Sequence, residues 1–208
     1  MKFLTLASLA TGAFAGVLVQ RDLATIQAVM AASGEGIIGL DNAFKGFTGD
    51  PAALLAASNS FIQTLKDGKA KVDPLPELSL TEALGLQAPA GDLQKKGDAL
   101  LATLKAKKDA IAANGLCEVT FSQTSSINSA SKDLINTIVS KVPEAAQGIA
   151  RGIVAGLLKD LQDAQDAGRT VVERAIRQQR RAPGAWSEIT SLVEGGGILM
   201  WHVKIART

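Results

Sequence analysis

Residues 22–47 read DLATIQAVMAASGEGIIGLDNAFKGF, and the apolar residues of this stretch recur at alternating steps of three and four. That spacing places them on one side of an amphipathic α-helix packed among other helices. The inward positions of this predicted helix are Leu23, Ile26, Met30, Ser33, Ile37, Leu40, Phe44 and Phe47. Ser33 is the one polar residue among them. Because the face is otherwise apolar, the rest of the chain must cover it.

The boundaries of the first two helices are indicated by capping residues. Asp22 is expected to cap the first helix, since its side chain can accept hydrogen bonds from the free amides of the first turn. Gly46 interrupts the apolar pattern, and Asp50-Pro51 has the cap-then-proline order that is favoured at helix starts. A second helix is therefore predicted from this point to about Ala70.

The remaining segments are predicted to be a linker, a short helix and three long helices. Residues 73–78 contain two prolines and should form the linker. Ser79 and Glu82 form a capping-box pattern for the short helix, which Pro89 and Gly91 are expected to end. The three long helices are predicted over residues 93–111, 121–142 and 144–178. The sequence thus predicts an all-α fold: a five-helix bundle with a short extra helix and an irregular C-terminal tail.

Composition favours one domain and excludes nucleic acid as a partner. The chain has 208 residues, 47% of them hydrophobic and only 20% charged, which suffices for one well-buried domain. It contains no Tyr and few other aromatic residues on which bases could stack. Between residues 16 and 177 there are 17 Lys and Arg against 18 Asp and Glu, so the predicted bundle has no basic excess for a phosphate backbone.

The two ends of the chain differ from the predicted bundle of residues 16–178. Residues 1–15 have the features of a secretory signal, with Lys2 before a short apolar run and Ala13 and Ala15 in a small-x-small cleavage pattern. No later segment is expected to span a membrane, so a secreted protein without a transmembrane segment is predicted. Residues 179–208 have no helical periodicity, and this tail is expected to be irregular or absent from the natural product.

The sequence offers no constellation of catalytic, metal-binding or cofactor-binding residues. The only histidine, His202, lies in the tail, and the only cysteine, Cys117, is expected to be a small apolar side chain at a helix end. Asp160 and Asp163 lie three residues apart on a helix and are predicted to be solvated. We therefore predict that the protein is not an enzyme, with no catalytic residues, no metal and no cofactor.

Several predicted inward positions carry hydroxyl or amide groups. They are Ser33, Ser58, Thr124, Asn128 and Ser131. Each could simply bond to the preceding helical turn. Together they also fit a tunnel in which an acyl chain lies against apolar side chains while a hydroxyl holds the carboxylate. The same apolar faces could instead open onto an apolar interface outside the protein.

The chain resembles the fungal hydrophobic surface-binding protein A, or cell wall galactomannoprotein, family over about residues 17–178. The likeness lies in Val19-Gln20-Arg21-Asp22, in the first apolar face through Phe44-Lys45-Gly46-Phe47, in the Asn114-Gly115-Leu116 turn and in the Ser-rich fourth helix. The resemblance implies a secreted, non-enzymatic five-helix bundle. Such proteins either hold long-chain fatty acids in a central tunnel or coat hydrophobic solids and recruit polyester-degrading esterases.

Some features depart from the family pattern. There is no N-x-S/T site, long Ser/Thr/Pro stalk or apolar C-terminal anchor signal, which departs from the wall-bound, heavily glycosylated version of the family, and the expected location is secreted or cell wall associated. The partners expected are a fatty acid or similar lipid, a hydrophobic surface, or a secreted esterase; a structural role in the cell wall is the further alternative. The predicted lipid-binding residues are Ser33, Leu40, Phe44, Phe61, Leu65, Leu104, Phe121 and Ser131, with Ser33 offered for the head group because it interrupts an apolar face.

Overall fold

The computed structural model describes the backbone of residues 11–181 and most side chains from residue 21 to residue 177. Within these limits the chain forms helices and no strand. The helices are α1 (Thr11–Lys45), α2 (Ala52–Val72), α3 (Leu80–Leu84), α4 (Gln87–Ala113), α5 (Cys117–Ser140) and α6 (Glu144–Arg181). Five long helices and the short α3 confirm the predicted fold class. Most of the predicted signal and of the predicted tail lies outside the described residues.

The apolar face of α1 is buried as its spacing predicts. Ile26 has no exposed surface, and Leu40 is 3% exposed. Ser33 is also buried, at 5%. Leu23 is the one partly buried member of the face, and Phe47 packs into the same core just after the helix ends. The face therefore forms one wall of the hydrophobic core.

The start of α1 differs from the prediction. The helix begins at Thr11, so Asp22 lies in its interior and is not an N-cap in this chain. The residues between these positions include two Ala and a Leu, which are good helix formers, and the helix continues through them. Signal cleavage after Ala15 remains a prediction.

The segment Arg21–Lys45 of α1 is long and apolar enough to cross a membrane. We expected no segment after the signal to be apolar enough to span a membrane. That expectation is wrong, because Ala residues outside the inward face of α1 add to the hydropathy of this segment. Length and composition alone are weak indications, since a core helix of a soluble protein passes the same test. In this structure the inward face of the segment is covered by protein, as the 7% exposure of Ile37 shows.

The side chains predicted at the starts of α2 and α3 make hydrogen bonds with backbone amides there. Asp50 Oδ1 accepts a hydrogen bond from the Ala52 amide at 2.9 Å. At α3, the Ser79 hydroxyl accepts from the Glu82 amide at 3.3 Å, while the Glu82 carboxylate accepts from the Ser79 amide at 2.8 Å. This reciprocal pair is the predicted capping box.

Helices α4 and α5 begin earlier than predicted. Pro89 and Gly91 do not separate α3 from α4, because α4 already begins at Gln87. Pro89 is tolerated there, since the amides of the first helical turn have no partner within the helix and proline removes no bond. Helix α5 begins at Cys117 rather than near Phe121. Both helices are therefore longer at their N-terminal ends than the apolar pattern indicates.

The long helices are arranged around a common axis. Helix α1 packs between α2 and α4, and α2 packs in turn against α5. Helix α6 bridges α5 and α4 through side chains: Asn128 on α5 bonds Gln165, and Gln94 on α4 bonds Asp160. The linker is held at one end of the bundle, where the Leu78 amide donates to the Lys141 carbonyl at 2.7 Å.

The packing divides the chain into two units, Met1–Val172 and Glu173–Thr208. The hydrophobic core between the helices belongs to the first unit. Of the second unit the structure describes only the last turns of α6, where Arg177 pairs with Glu173 at 3.4 Å.

Glycines let α1 and α2 approach closely. A Cβ atom at Gly36 on α1 would overlap the ring of Phe61 on α2. A Cβ atom at Gly68 on α2 would lie 2.7 Å from Val29 Cγ1 on α1, well inside van der Waals contact. Gly39, also on α1, has no atom within 4 Å of the equivalent point. Two of these three positions therefore require the absence of a side chain.

We predict opposite effects of alanine at two glycines of α1. Gly36→Ala should lower the free energy of unfolding by about 1–3 kcal/mol, because the added methyl displaces a buried ring. Gly39→Ala should raise it by about 0.5–1 kcal/mol, because alanine is the better helix former where space is open. Urea unfolding followed by circular dichroism measures both, and equal shifts in the two variants would contradict the close approach.

Candidate functional site

A cavity of about 140 Å³, partly open to solvent, lies between the five long helices. Its wall is mostly apolar. The polar side chains in it are Ser33, Thr124, Ser131 and Asp160. The apolar side chains include Met30, Ile37, Leu40, Phe44, Phe61, Leu65, Leu93, Leu101, Leu104, Ile127, Leu134, Ile135, Ile153, Leu157 and Leu161. The inward faces of the helices thus bury one another only in part and leave apolar surface facing an internal space.

Most of the sequence-predicted site residues lie in this wall. Ser33, Leu40 and Phe44 come from α1, Phe61 and Leu65 from α2, Leu104 from α4 and Ser131 from α5. Helical spacing alone brings them together, because each occupies an inward position of its own helix. Their contact with a ligand remains a proposal.

Phe121 is the predicted residue that the structure places elsewhere. It is half-buried, and its ring lies 3.3 Å from the point where a Cβ atom would stand on Gly168 of α6. The inward face of α5 passes through Thr124 and Ile127, and Phe121 lies at the edge of this face, toward α6. It therefore packs α5 against α6 instead of lining the cavity.

The hydroxyls of Ser33 and Thr124 are used within their own helices. Ser33 Oγ donates to the Val29 carbonyl at 2.9 Å, and Thr124 Oγ1 donates to the Thr120 carbonyl at 2.8 Å. These are the bonds to the preceding turn that the sequence allowed as an alternative. In this geometry both oxygens can still accept a hydrogen bond, but neither has a free proton to donate to a carboxylate.

Ser131 differs from the other two hydroxyls. It is 7% exposed and lines the cavity, and among the described residues its hydroxyl has no hydrogen-bond partner. A buried hydroxyl usually has such a partner. Ser131 is therefore a polar group in the cavity wall that is free to bond a guest molecule.

A polar cluster between α4 and α6, of which Asp160 lines the cavity, was not predicted from the sequence. Asp160 is half-buried and lines the cavity, which differs from the predicted solvated face, whereas Asp163 pairs with the exposed Lys159 at 2.6 Å as a solvated residue would. Gln94 Nε2 donates to Asp160 Oδ2 and, at 3.2 Å, to Asp98 Oδ1. The position of Asp160 between Leu157 and Leu161 could have revealed that it shares the apolar face of α6.

The pKa of the Asp160 carboxyl lies above its ordinary value. Burial is the main cause, and the charge and hydrogen bond of the neighbouring Asp98 raise the pKa further. The Gln94 hydrogen bond opposes this effect. Asp160 therefore retains its proton to a higher pH than an isolated aspartate would.

A second, smaller cavity of about 60 Å³ continues the first toward the start of α6. The two share the wall residues Met30, Ala90, Ile138, Val139, Ile153 and Val154. Its outer rim includes Leu84 on α3 and Ile149 on α6, which are 50% and 56% exposed. The apolar space therefore leads from the middle of the bundle to a pair of exposed apolar side chains.

The described residues contain no group of three or more His, Cys, Asp and Glu side chains that could hold a metal ion. Cys117 is buried at the first position of α5, which confirms its predicted packing role. Burial raises the pKa of its thiol. Because the thiolate is the reactive form, this thiol is poorly suited to nucleophilic chemistry near neutral pH.

We predict that Cys117 reacts slowly with a thiol reagent such as iodoacetamide in the folded protein at about pH 8. Urea should accelerate the reaction strongly, because unfolding exposes the thiol and restores its ordinary pKa. Mass spectrometry of the alkylated protein measures both rates. Equal rates with and without urea would show that the side chain is accessible in the native state.

Comparison with known proteins identifies the family. The model of the family described as hydrophobic surface binding protein A matches residues 23–140, more than half of the chain. The chain belongs to the hydrophobic surface binding protein A family. The matched segment runs from the apolar face of α1 to the end of α5 and so covers four of the helices that line the cavity.

Curated relatives carry the name cell wall mannoprotein 1. The protein from Aspergillus flavus is 30% identical over 168 residues, which cover 80% of this chain and 62% of the relative. The protein from Aspergillus fumigatus is 32% identical over 119 residues, which cover 57% of this chain and 42% of the relative. The chain thus spans less than two thirds of the length of these relatives.

Solved structures of low sequence identity share the fold. Ligand binding domain 1 of the Penicillium marneffei MP1 protein, complexed with arachidonic acids, has a TM-score of 0.67 at 24% identity and matches 71% of this chain and 98% of that domain. AFMP4P in complex with palmitic acid has a TM-score of 0.63 at 20% identity and matches 72% of this chain and 98% of that chain. The helix arrangement of this family member is therefore one that other solved domains also adopt.

Proposed function

We propose that this protein binds a long-chain fatty acid or a similar lipid in the cavity between its helices. The observation that carries the proposal is the continuous apolar wall contributed by all five long helices, with few polar groups in it. Domains of the same fold are complexed with arachidonic and palmitic acids, which supports this choice of ligand. Leu40, Phe44, Phe61, Leu65 and Leu104 contact the acyl chain in this proposal.

The length of the apolar space suits an acyl chain. Along α6 the wall runs from Ile149 to Ala164, which corresponds to about 22 Å of helix. An extended chain of single bonds advances about 1.2 Å per bond, so a sixteen-carbon chain is about 18 Å long. Such a chain fits within the two cavities when they are joined.

The main cavity is too narrow for a long acyl chain unless its walls move apart on binding. The main cavity has about 140 Å³, close to the engineered cavity of about 150 Å³ that accepts a molecule the size of benzene. A longer guest must therefore occupy the open side or push the walls apart. Helix α6 is the element suited to move, because long side chains, and not close packing of the helix backbones, join it to α4 and α5.

The energy of burial favours such a ligand. Each buried methylene contributes about 0.8 kcal/mol, so a sixteen-carbon chain gains about 12 kcal/mol before the costs of ordering the ligand and protein. Ser131 can orient the polar end, since its hydroxyl has no other partner among the described residues. Ser33 can accept a hydrogen bond there while it keeps its bond to Val29.

We predict that Ala90→Phe shortens the preferred acyl chain. Ala90 lies in the wall shared by the two cavities, so a ring at this position should close the passage between them. The affinity for palmitate should fall at least about tenfold, while the affinity for a ten-carbon fatty acid should change little. Isothermal titration with both acids measures the two affinities.

Ala106→Phe is the matched control for this experiment, because Ala106 is exposed on the same helix. It should leave both affinities unchanged. Equal losses for the short and the long acid in Ala90→Phe, or no loss at all, would contradict a joined cavity. Native purified protein should also yield fatty acids on lipid extraction and mass spectrometry.

The exposed apolar rim favours adsorption to hydrophobic surfaces as a second candidate function. Leu84 and Ile149 flank the outer cavity, and Leu80 on the same short helix is 54% exposed. Exposed apolar side chains that lie together are typical of interaction sites. In this second proposal the rim lies on a wax or polyester surface, and a recruited esterase would act on that surface.

The double variant Leu84→Ser with Ile149→Ser should deplete less readily from solution onto polyester beads than the wild type. We expect the adsorbed fraction to fall at least about twofold, because the polar side chains gain little from leaving water. Val119→Ser is the control, since Val119 is 41% exposed and lies outside this rim. Equal depletion of all three proteins would contradict a role of the rim in adsorption.

We also propose that the protein is secreted, associated with the cell wall in part, and without enzymatic activity or a membrane-spanning segment. The predicted signal and the cell wall mannoprotein relatives support the location. The burial of the inward face of α1 supports its role as a core helix. A structural role in the wall would be indicated if neither lipids nor beads bind the protein.

A further inference from the structure

The wall between α4 and α6 presents hydrogen-bond acceptors to the cavity. Asp160 lines the cavity, and Gln94 bridges it to Asp98 with both bonds made by the same amide nitrogen. The other end of that amide, Gln94 Oε1, is buried and has no hydrogen-bond partner among the described residues. That oxygen faces Gly156 of α6, so within the cluster Asp160 is the acceptor that lines the cavity.

Ser131 on α5 lies in the cavity wall at the same level along the bundle as Asp160 on α6. Contacts between Asn128 and Gln165 and between Phe121 and Gly168 define an antiparallel register of α5 and α6. In this register position 131 on α5 comes level with position 160 on α6. The nine-tenths buried, unpartnered hydroxyl of Ser131 thus belongs to the same polar zone of an otherwise apolar cavity.

The charges around this zone are negative on balance. Asp98 from α4 and Asp163 from α6 both act to raise the pKa of Asp160, after the larger effect of burial. The neighbouring cation, Lys159, is exposed and pairs with Asp163 at 2.6 Å. On the other side of α4, Lys96 pairs with Glu35 at 3.7 Å. The three carboxylates Asp98, Asp160 and Asp163 outnumber the nearby cations Lys159 and Lys105, so an ionised ligand carboxylate at this zone would meet net negative charge.

We propose that the Gln94–Asp98–Asp160 cluster receives an uncharged, hydrogen-bond-donating lipid head group, either a fatty alcohol or a fatty acid in its protonated form. The hydroxyl of such a head group donates to Asp160 and accepts from Ser131. An ionised fatty acid binds less well, because its charge faces the aspartate pair. This inference rests on the proposed lipid-binding function.

The position of the cluster also orients the acyl chain. Asp160 lies one helical turn from Ala164, at the inner end of the cavity, and eleven residues, or about 16 Å, from Ile149 at the outer rim. The longer path therefore leads from the head group toward the exposed rim. A chain of about fourteen carbons covers this distance, and longer tails reach Leu84 and Ile149.

The test compares hexadecanol with palmitate, which have equal chain length. Binding of each radiolabelled lipid to the full-length protein is measured by ultrafiltration at about pH 7.5 and about pH 4.5. At the higher pH we expect hexadecanol to bind at least about tenfold more tightly than palmitate. At the lower pH the difference should shrink, because palmitate and Asp160 both take up protons.

Asp160→Asn should reduce the difference between the affinities for hexadecanol and palmitate at about pH 7.5. It should do so mainly by raising the affinity for palmitate, since it removes a charge and keeps the shape of the side chain. Asp98→Asn should act in the same direction and serves as a second variant if Asp160→Asn unfolds. Asp109→Asn, at an exposed position of α4, removes the same charge away from the cavity and should leave the difference unchanged.

The outcomes separate this inference from the proposed function. If palmitate and hexadecanol bind equally at about pH 7.5, or if both Asp160→Asn and Asp98→Asn leave the difference intact, the head-group inference is wrong while lipid binding stands. If neither lipid binds at either pH, the proposed function and the inference fail together. A reduced difference in the cavity variants but not in Asp109→Asn supports the inference.

Discussion

The apolar face of α1 is covered from two sides, by α2 and by α4, and this packing constrains the positions of the other helices. Ile26 and Leu40 are almost completely enclosed, and Gly36 allows the ring of Phe61 to lie directly against the α1 backbone. Since α2 in turn packs against α5, α6 is the long helix left to connect α5 with α4 and so complete the bundle. The side-chain bridges to α6 provide this closure and leave an apolar space inside.

That space exists because the inward side chains exceed what the helices need to bury one another. A core that satisfied its own apolar surface would be packed without voids larger than a water molecule. Here apolar residues of five helices face a cavity that leads to the exposed Leu84 and Ile149. The apolar surface left over is the physical basis of both proposed functions, holding an acyl chain and contact with a hydrophobic solid.

The polar groups of the cavity differ in what they can do. Ser33 and Thr124 use their protons within their own helices, so they stabilise the wall and offer only acceptor oxygens. Ser131 has no such bond among the described residues, and Asp160 is held toward the cavity by Gln94. In the proposed complex, Asp160 on α6 and Ser131 on α5 therefore contribute more to orienting the polar end of a guest than Ser33 on α1, which offers only an acceptor.

Periodicity and capping residues in the sequence by themselves determined the all-α fold, the inward face of α1, the capping box of Ser79 and Glu82, and most of the cavity wall. These features depend on residues close together in the chain, whose relation is given by the helical repeat. The tertiary structure alone decided the placement of Asp160 beside Gln94 and Asp98 and the exclusion of Phe121 from the wall. Each of these depends on how one helix is rotated against another, and side chains distant in the chain settle that rotation.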